Sequence, residues 1–134
     1  GMAVKGHIPG KDGIYAAALL VEMLAVTGKS VSQLYREITH RYGTLHYEEV
    51  SCKMTPQRKA ELQKLVFEDG LLPTFVETVV KINREDGCKV YFEDGSWVIF
   101  RFSGTEPLLR MAAEGNTPQQ AKQYVQAWRS LLEL

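Results

Sequence analysis

The segment that links two predicted strands contains five residues whose side chains or backbone amides are suited to hold an anion: Arg101, Ser103, Gly104, Thr105 and Arg110. Strand alternation puts Arg101 and Ser103 on the same side. Gly104 lets the backbone turn where a side chain would obstruct it. Consecutive amides and two hydroxyls can then converge on one anion, and planar guanidinium groups match phosphate oxygens with paired donors. These residue types therefore predict a phosphate-binding loop.

A purely structural interpretation of the same stretch stays open. Ser-Gly-Thr is also ordinary turn chemistry, and arginines often form the solvated ends of strands. Glu106 lies inside the stretch, and a carboxylate repels a phosphate unless it points away or pairs with an arginine. An ordinary hairpin and a phosphate site are both compatible with these residues.

Helix signals dominate the first part of the chain. Asp12 can cap a helix that Gly28 ends, and the sequence between them is apolar on nearly every side. Ser30 and Gln33 have capping-box spacing before a second helix that stops at Gly43. Two consecutive helices are therefore predicted before residue 44, and the first needs cover on several faces.

Strand signals dominate the rest of the chain. Residues 44–54 are predicted to be extended, and a Thr-Pro cap at 55–56 starts a third helix. Apolar runs from residue 79 to 113 are separated by two Asp-Gly turns, which favour hairpins. A final helix follows Thr117. This order predicts an α+β fold: an antiparallel sheet of about four strands with helices packed on one face, preceded by a helical lead-in.

Composition restricts the classes of function. The 134 residues contain 16 Lys and Arg and 16 Asp and Glu, and zero net charge without a dense basic stripe disfavours nucleic-acid binding. The most apolar stretch, 14–26, is interrupted by Glu22 and is shorter than the roughly 20 residues of a membrane span. No membrane helix or signal peptide is predicted. Cys52 and Cys88 lack metal-site spacing, which favours reduced thiols in a cytoplasmic protein.

Two stretches carry a resemblance to a known family. The sequence RFSGTEPLLR at 101–110 closely resembles the C-terminal phosphate-binding loop of the α-D-phosphohexomutases, the superfamily of phosphoglucomutase, phosphomannomutase and phosphoglucosamine mutase. The sequence GHIPGKDGI at 6–14 resembles the end of the third domain of the same superfamily. The resemblance implies that residues 1–43 end domain 3 and that residues 44–134 form domain 4, a phosphate-binding domain similar in fold to the TATA-box-binding protein.

The resemblance also implies an activity for the full-length protein. In this superfamily a phosphoserine donates its phosphoryl group to a hexose phosphate, and the bisphosphorylated intermediate reorients and returns the other phosphate. The loop residues of this chain match the positions that hold the phosphate not being transferred. Lys11 matches a position of a candidate general acid or base, and His7 matches a position that approaches the active site.

The loops that perform the chemistry in relatives are missing from the sequence. It contains no Ser-His-Asn-Pro nucleophile loop and no Asp-Gly-Asp-x-Asp metal loop. The chain is therefore expected to be inert alone and to hold no metal or other cofactor, with Mg²⁺ expected in the full-length enzyme. The expected partners are a hexose phosphate and the remaining domains, without nucleic acid or membrane. The alternative is a free-standing phosphate-binding or interaction module without enzymatic activity.

Overall fold

Four α-helices and five β-strands form the described part of the chain. The structure is a computed structural model that describes residues 2–134. In chain order the elements are α1 (Gly13–Thr27), α2 (Val31–Tyr42), β1 (His46–Lys53), α3 (Pro56–Gln63) with a π-helical turn (Lys64–Glu68), β2 (Val79–Asn83), β3 (Cys88–Phe92), β4 (Trp97–Phe102), β5 (Leu108–Gly115) and α4 (Pro118–Leu132).

The first two helices begin and end at the residues that the sequence predicts. The Asp12 carboxylate accepts hydrogen bonds from two amides of the first turn of α1, and Gly28 ends α1 in the left-handed conformation. Ser30 and Gln33 form a reciprocal capping box at the start of α2. These side-chain acceptors satisfy amides that lack partners inside a helix. Both predicted helices are confirmed.

The chain divides into two compact units, one up to Thr44 and the other Leu45–Leu134. In the first unit neither helix has a buried residue. Several apolar side chains of α1 are exposed, among them Ile14 at 86% and Val26 at 79%. Helix α1 is therefore apolar on most sides and largely exposed to solvent. Covering this apolar surface with another part of a protein would be energetically favourable.

The second unit is built on one antiparallel sheet with the order β1-β5-β4-β3-β2. The predicted α+β fold is confirmed, with five strands instead of about four. The extended segment before α3 becomes β1, which pairs along its whole length with β5 at the edge of the sheet. Gly87 and Gly95 lie in the two tight turns with positive φ, as the Asp-Gly pairs predict.

Helices α3 and α4 pack on one face of this sheet around a single apolar core. The core includes Leu62 from α3, Trp128 from α4 and inward residues of the central strands such as Phe100 and Met111. The Trp128 indole stacks on Phe100, with ring centroids 4.9 Å apart. On the opposite face of the sheet, the residues of β3 and β4 that alternate with the core positions are exposed or half-buried, so no described helix of this unit covers them.

A polar cluster joins the turn between β3 and β4 to the start of α4. Asp94 accepts hydrogen bonds from the amide and hydroxyl of Ser96, from Asn116 and from Gln120. Gln120 also donates to Tyr124, whose hydroxyl lies 2.8 Å from the Ser96 hydroxyl. The hydrogen bond from Ser96 is the main cause that lowers the pKa of Asp94 below 3.8.

The lowered pKa of Asp94 predicts a pH-dependent contribution to stability. A carboxyl whose folded pKa is depressed stabilises the fold above its unfolded pKa and loses this contribution as pH falls through the folded value. In urea unfolding, wild type is expected to exceed Asp94→Asn in free energy of unfolding at neutral pH. The difference is expected to shrink below pH 3.8. Parallel pH profiles for the two proteins would contradict this assignment.

Within residues 2–134, no single helix is long and apolar enough to cross a membrane. The bent pair α1 and α2, with 83° between its members, meets the length and composition criteria only when both are taken together.

Candidate functional site

Two arginines lie directly opposite each other on neighbouring strands. Arg101 of β4 pairs in register with Arg110 of β5. Both side chains are about half exposed, at 53% and 50%, on the sheet face without helices. Arg101 Nε lies 3.2 Å from an Asp86 oxygen, and Arg110 Nη2 lies 3.1 Å from Glu106 Oε2. Each guanidinium thus has one carboxylate partner from this chain.

This arrangement favours an anion with more than one negative charge. Like charges directly opposite each other on two strands are destabilising unless a counter-charge compensates them. Exposed ion pairs such as those with Asp86 and Glu106 contribute about 0 to 1 kcal/mol, so a ligand can displace them at low cost. A phosphate offers oxygens to both guanidinium forks of Arg101 and Arg110 at once. The two arginines thus line one cavity with donors of the kind that phosphate oxygens accept.

The Glu106 carboxylate adopts one of the two arrangements that the sequence leaves open for it, since it pairs with an arginine instead of pointing away. The carboxylate pairs with Arg110, four residues along the chain. The negative charge beside the loop is therefore compensated in this structure, and Glu106 competes with any anion for the same guanidinium.

The loop between β4 and β5 is held by hydrogen bonds from its own amides to the Ser103 hydroxyl and to backbone carbonyls. The Ser103 hydroxyl accepts from the amides of Thr105 and Glu106 at 3.4 and 3.2 Å. The Ser103 amide donates to the Leu108 carbonyl at 2.8 Å. In the part of the chain that the structure describes, the Gly104 amide has no such partner. One amide of the loop is therefore available to a ligand.

The loop and the arginines line two different cavities. Ser103, Gly104 and Thr105 line a cavity of about 340 Å³ together with residues of the β1–α3 connection. Arg101 and Arg110 line a cavity of about 190 Å³ on the open sheet face. The structure thus brings together the two arginines, and separately the three loop residues, but does not place all five around one cavity. Glu106 lies at the border, because it lines the first cavity and pairs with an arginine of the second.

The expected steric reason for Gly104 is wrong. Its φ is outside the left-handed region, and a Cβ built there meets nothing within 4 Å. The backbone does not require glycine, since any residue adopts this conformation without strain. What the missing side chain provides is open space beside a free amide.

Gly104→Ala is accordingly expected to leave the free energy of unfolding unchanged or raised by about 0.4–1 kcal/mol, because alanine restricts the unfolded chain. Thermal or urea unfolding measures this. Gly87→Ala is the contrasting variant, because Gly87 has a φ of +98° and its Cβ would lie 2.6 Å from the Phe100 carbonyl oxygen. If Gly104→Ala destabilised the chain as much as Gly87→Ala, the loop conformation would be more constrained than the structure indicates.

His7 and Lys11 lie in the first unit, beside the start of α1. His7 Nε2 lies 2.9 Å from Asp12 Oδ2, and its ring stacks on Tyr15 with centroids 4.0 Å apart. The hydrogen bond with His7 is the largest cause that lowers the pKa of Asp12, and the Tyr15 amide adds to it. Among the described residues, Lys11 has no ion-pair partner. The structure thus gives His7 a helix-capping environment and leaves the Lys11 ammonium free.

Sequence reasoning missed residues that line the cavity of the arginine pair. Tyr47, Glu49 and Trp97 border the arginine pair, and the Tyr47 hydroxyl donates to Glu49 at 2.7 Å. Burial, more than this hydrogen bond, raises the pKa of Tyr47 to about 12. The alternation of residues 46–53 is the signal that could have placed Tyr47 and Glu49 on the same side of a strand. Their position beside the arginines depends on strand pairing between distant parts of the sequence, which alternation does not reveal.

The residues that the structure describes contain no group of three or more His, Cys, Asp or Glu side chains arranged to hold a metal ion. Both cysteines are free, and burial raises the pKa of the Cys88 thiol. The described residues therefore include no carboxylate cluster of the kind that Mg²⁺ requires.

Comparison with known proteins identifies the family of the chain. Residues 49–131 match the family model described as phosphoglucomutase/phosphomannomutase, C-terminal domain. Residues 1–42 match the model of the same family described as alpha/beta/alpha domain III. The chain belongs to the phosphoglucomutase/phosphomannomutase family, with one segment that matches its C-terminal domain and one that matches its domain III.

Several curated relatives match most of the chain. A phosphoglucomutase/phosphomannomutase of Thermococcus kodakarensis is 31% identical over 99% of this chain and 27% of its own length. Probable phosphoglucosamine mutases of Thermococcus gammatolerans and Pyrococcus furiosus are 34% and 32% identical, each over 91% of this chain and 25% of their own length. The chain therefore spans about a quarter of the length of the curated relatives it matches.

Proposed function

We propose that this chain is the C-terminal part of a hexose-phosphate mutase and that its second unit holds the phosphate that is not being transferred. The observation that carries the proposal is the pair Arg101 and Arg110, placed directly opposite each other beside the Ser-Gly-Thr loop. The residues that bind the phosphate are Arg101, Ser103, Gly104, Thr105 and Arg110. The family membership and the names of the relatives support a mutase as the longer protein.

The arginine pair contributes to catalysis through positioning. A phosphate held away from the reacting hydroxyl converts binding energy into orientation of that hydroxyl, which is effective in both halves of a phosphoryl exchange. Thr105 and the free Gly104 amide add donors at the loop, and Glu106 releases Arg110 when the dianion arrives. A dianion that displaces both Asp86 and Glu106 from the two guanidinium groups keeps the net charge at the site balanced.

Lys11 is proposed as a general acid or base of the longer protein, with His7 as a neighbouring residue that orients the start of α1. The exposed position of the Lys11 ammonium suits contact with a substrate. For proton transfer near neutral pH its pKa would have to fall, which burial by a substrate or a nearby cation would cause. The hydrogen bond between His7 and Asp12 fixes the backbone immediately beside Lys11.

Mg²⁺ is proposed for the longer enzyme, where it would supply charge stabilisation for phosphoryl transfer. The described residues of this chain do not fit such an ion, because they contain no suitable cluster. The nucleophile loop is likewise absent from the sequence. We therefore expect the chain alone to lack mutase activity.

The remaining parts of the longer protein are the proposed partners, with a hexose phosphate as substrate. We assign residues 1–43 to domain III and residues 44–134 to domain IV. The uncovered apolar faces of α1 support this, since the matching family domain is described as alpha/beta/alpha and the first unit has two helices but no strand between residues 2 and 44. A sheet of domain III is the proposed cover for α1. The two free thiols support a cytoplasmic location.

Titration of the ¹⁵N-labelled chain with glucose 1-phosphate tests the proposed phosphate site. We expect saturable shifts of the amides of residues 101–106 and of Arg110. Inorganic phosphate is expected to shift the same amides, whereas glucose at equal concentration is not. Absence of shifts in this stretch, with saturable binding elsewhere, would overturn the proposal.

A further inference from the structure

The cavity beside the loop has a second wall that comes from α3. Its lining joins the loop to the end of β1 and the first turns of α3: Met54, Thr55, Pro56, Lys59 and residues 103–107. Lys59 is the one lysine or arginine among these lining residues. It projects from the helix side of the sheet, whereas the arginine pair lies on the open face.

Lys59 is half-buried and has an aromatic contact but no carboxylate. Its Nζ lies over the Phe102 ring, 5.5 Å from the centroid. Among the described residues no acidic side chain lies within ion-pair distance of it. An ammonium whose one described partner is an aromatic ring keeps its donors available for an anion.

The neighbouring cation shows a different use. Arg58 donates to the Leu132 carbonyl at 2.6 Å and pairs with Glu61 at 2.8 Å. It therefore ties α3 to the end of α4 and to its own helix. Arg58 therefore stabilises the fold, whereas the adjacent Lys59 lines a cavity.

The position of Lys59 relative to the loop is fixed by backbone hydrogen bonds. The Met54 amide donates to the Pro107 carbonyl at 2.8 Å and so joins the end of β1 to the loop. The Lys59 amide donates to the Thr55 carbonyl at 2.9 Å, inside a turn that the Thr55 hydroxyl caps. These two hydrogen bonds fix the Lys59 backbone relative to the loop backbone. The cavity between them is therefore formed without a ligand.

We infer that Lys59 is a further phosphate-binding residue, which contacts a phosphate monoester in the loop cavity from the side opposite the arginine pair. This inference rests on the proposed function of the loop. A dianion in the loop cavity then has the Lys59 ammonium and the free Gly104 amide as donors, while the arginine pair lines the separate cavity beyond Glu106. An ammonium in the loop cavity favours the doubly charged phosphate over a singly charged carboxylate or sulfonate.

The test compares Lys59→Met with Lys122→Met in titrations with inorganic phosphate and with glucose 1-phosphate. Lys122 is an exposed lysine on α4 that lines a different cavity, so its replacement removes the same charge elsewhere on the unit. Lys59→Met is expected to raise the Kd for both ligands by about tenfold, as loss of one charge-assisted contact does. Lys122→Met is expected to change it less than twofold, and Lys59→Arg to restore most of the affinity.

A second measurement on the wild-type chain covers the case in which Lys59→Met does not fold. Lysines carrying ¹³C-methyl labels are titrated with inorganic phosphate, and the Lys59 signal, assigned by its absence from Lys59→Arg, is expected to shift together with the Gly104 amide. If the loop amides shift while the Lys59 signal and the Lys59→Met affinity stay as in the control, the inference is overturned and the proposed function stands. If wild type binds neither ligand, the proposed function itself fails.

Discussion

Replacing Arg101 and Arg110 together by alanine is expected to reduce phosphate binding by more than about a hundredfold. Each guanidinium contributes charge-assisted hydrogen bonds of about 1.5–3 kcal/mol to a bound dianion, and about 1.4 kcal/mol corresponds to a tenfold change in Kd. Each single replacement is therefore expected to raise Kd by about tenfold or more. Amide shifts in titrations with glucose 1-phosphate measure these values. Arg101→Lys is expected to remain impaired, since an ammonium lacks the planar fork.

Stability measurements separate this effect from damage to the fold. The side chains of Arg101 and Arg110 are about half exposed, and their ion pairs with Asp86 and Glu106 are of the kind that contributes at most about 1 kcal/mol. Loss of one arginine also removes the repulsion between like charges on paired strands. Unfolding free energies close to wild type are expected for both single variants. A folded double variant that binds phosphate like wild type would remove the mechanism proposed for the site.

Replacing Glu106 tests the same site with a change expected to strengthen phosphate binding. Its carboxylate occupies Arg110 in the structure, so Glu106→Gln is expected to strengthen phosphate binding by a few fold while the arginine variants weaken it. Lys122→Met removes one positive charge, as each arginine variant does, and therefore accounts for general electrostatic effects in the arginine series, which salt screens over about 10 Å at moderate ionic strength.

Local signals explain which parts of the fold were predictable. Asp12 and Ser30 accept hydrogen bonds at helix starts, and Gly87 and Gly95 adopt positive φ in tight turns. Each depends on neighbours within a few residues, so spacing alone was sufficient. The pairing of β1 with β5 depends on contacts between residues far apart in sequence. This is why the strand count was slightly low although the segment itself was predicted to be extended.

The candidate site is predictable in composition but not in arrangement. The types and order of Arg101, Ser103 and Arg110 suggest an anion site but are equally compatible with an ordinary hairpin, and the resemblance of residues 101–110 to a known loop is what favours the site. Their division between two cavities depends on the loop's internal hydrogen bonds and on the segment that starts α3. Lys59 has no distinguishing local signal, because a lysine on a short helix is ordinary unless the fold brings it beside the loop. The tie between Met54 and Pro107 is the tertiary contact that does so.

Trp128→Ala is expected to have the largest effect on stability of any single replacement in the second unit. Trp128 is fully buried and is the largest of the completely buried side chains. It connects α4 to β4 through its stacking on Phe100. Truncating a buried tryptophan costs about 3–5 kcal/mol from lost apolar contact and a residual cavity. A domain of this size has only about 5–15 kcal/mol of stability, so the variant is expected to be partly unfolded at about 37 °C.

Trp128→Phe provides the sharper comparison, because the indole N–H of Trp128 has no hydrogen-bond partner among the described residues. Phenylalanine leaves a smaller cavity than alanine and removes a buried donor whose desolvation costs about 1–3 kcal/mol. Its expected loss is therefore less than half that of Trp128→Ala. Urea unfolding followed by the fluorescence of Trp97 measures both variants, with Val76→Ala as the control because Val76 is 98% exposed. Equal losses for the phenylalanine and alanine variants would show that the donor is satisfied in solution and that ring stacking on Phe100 depends on the indole itself.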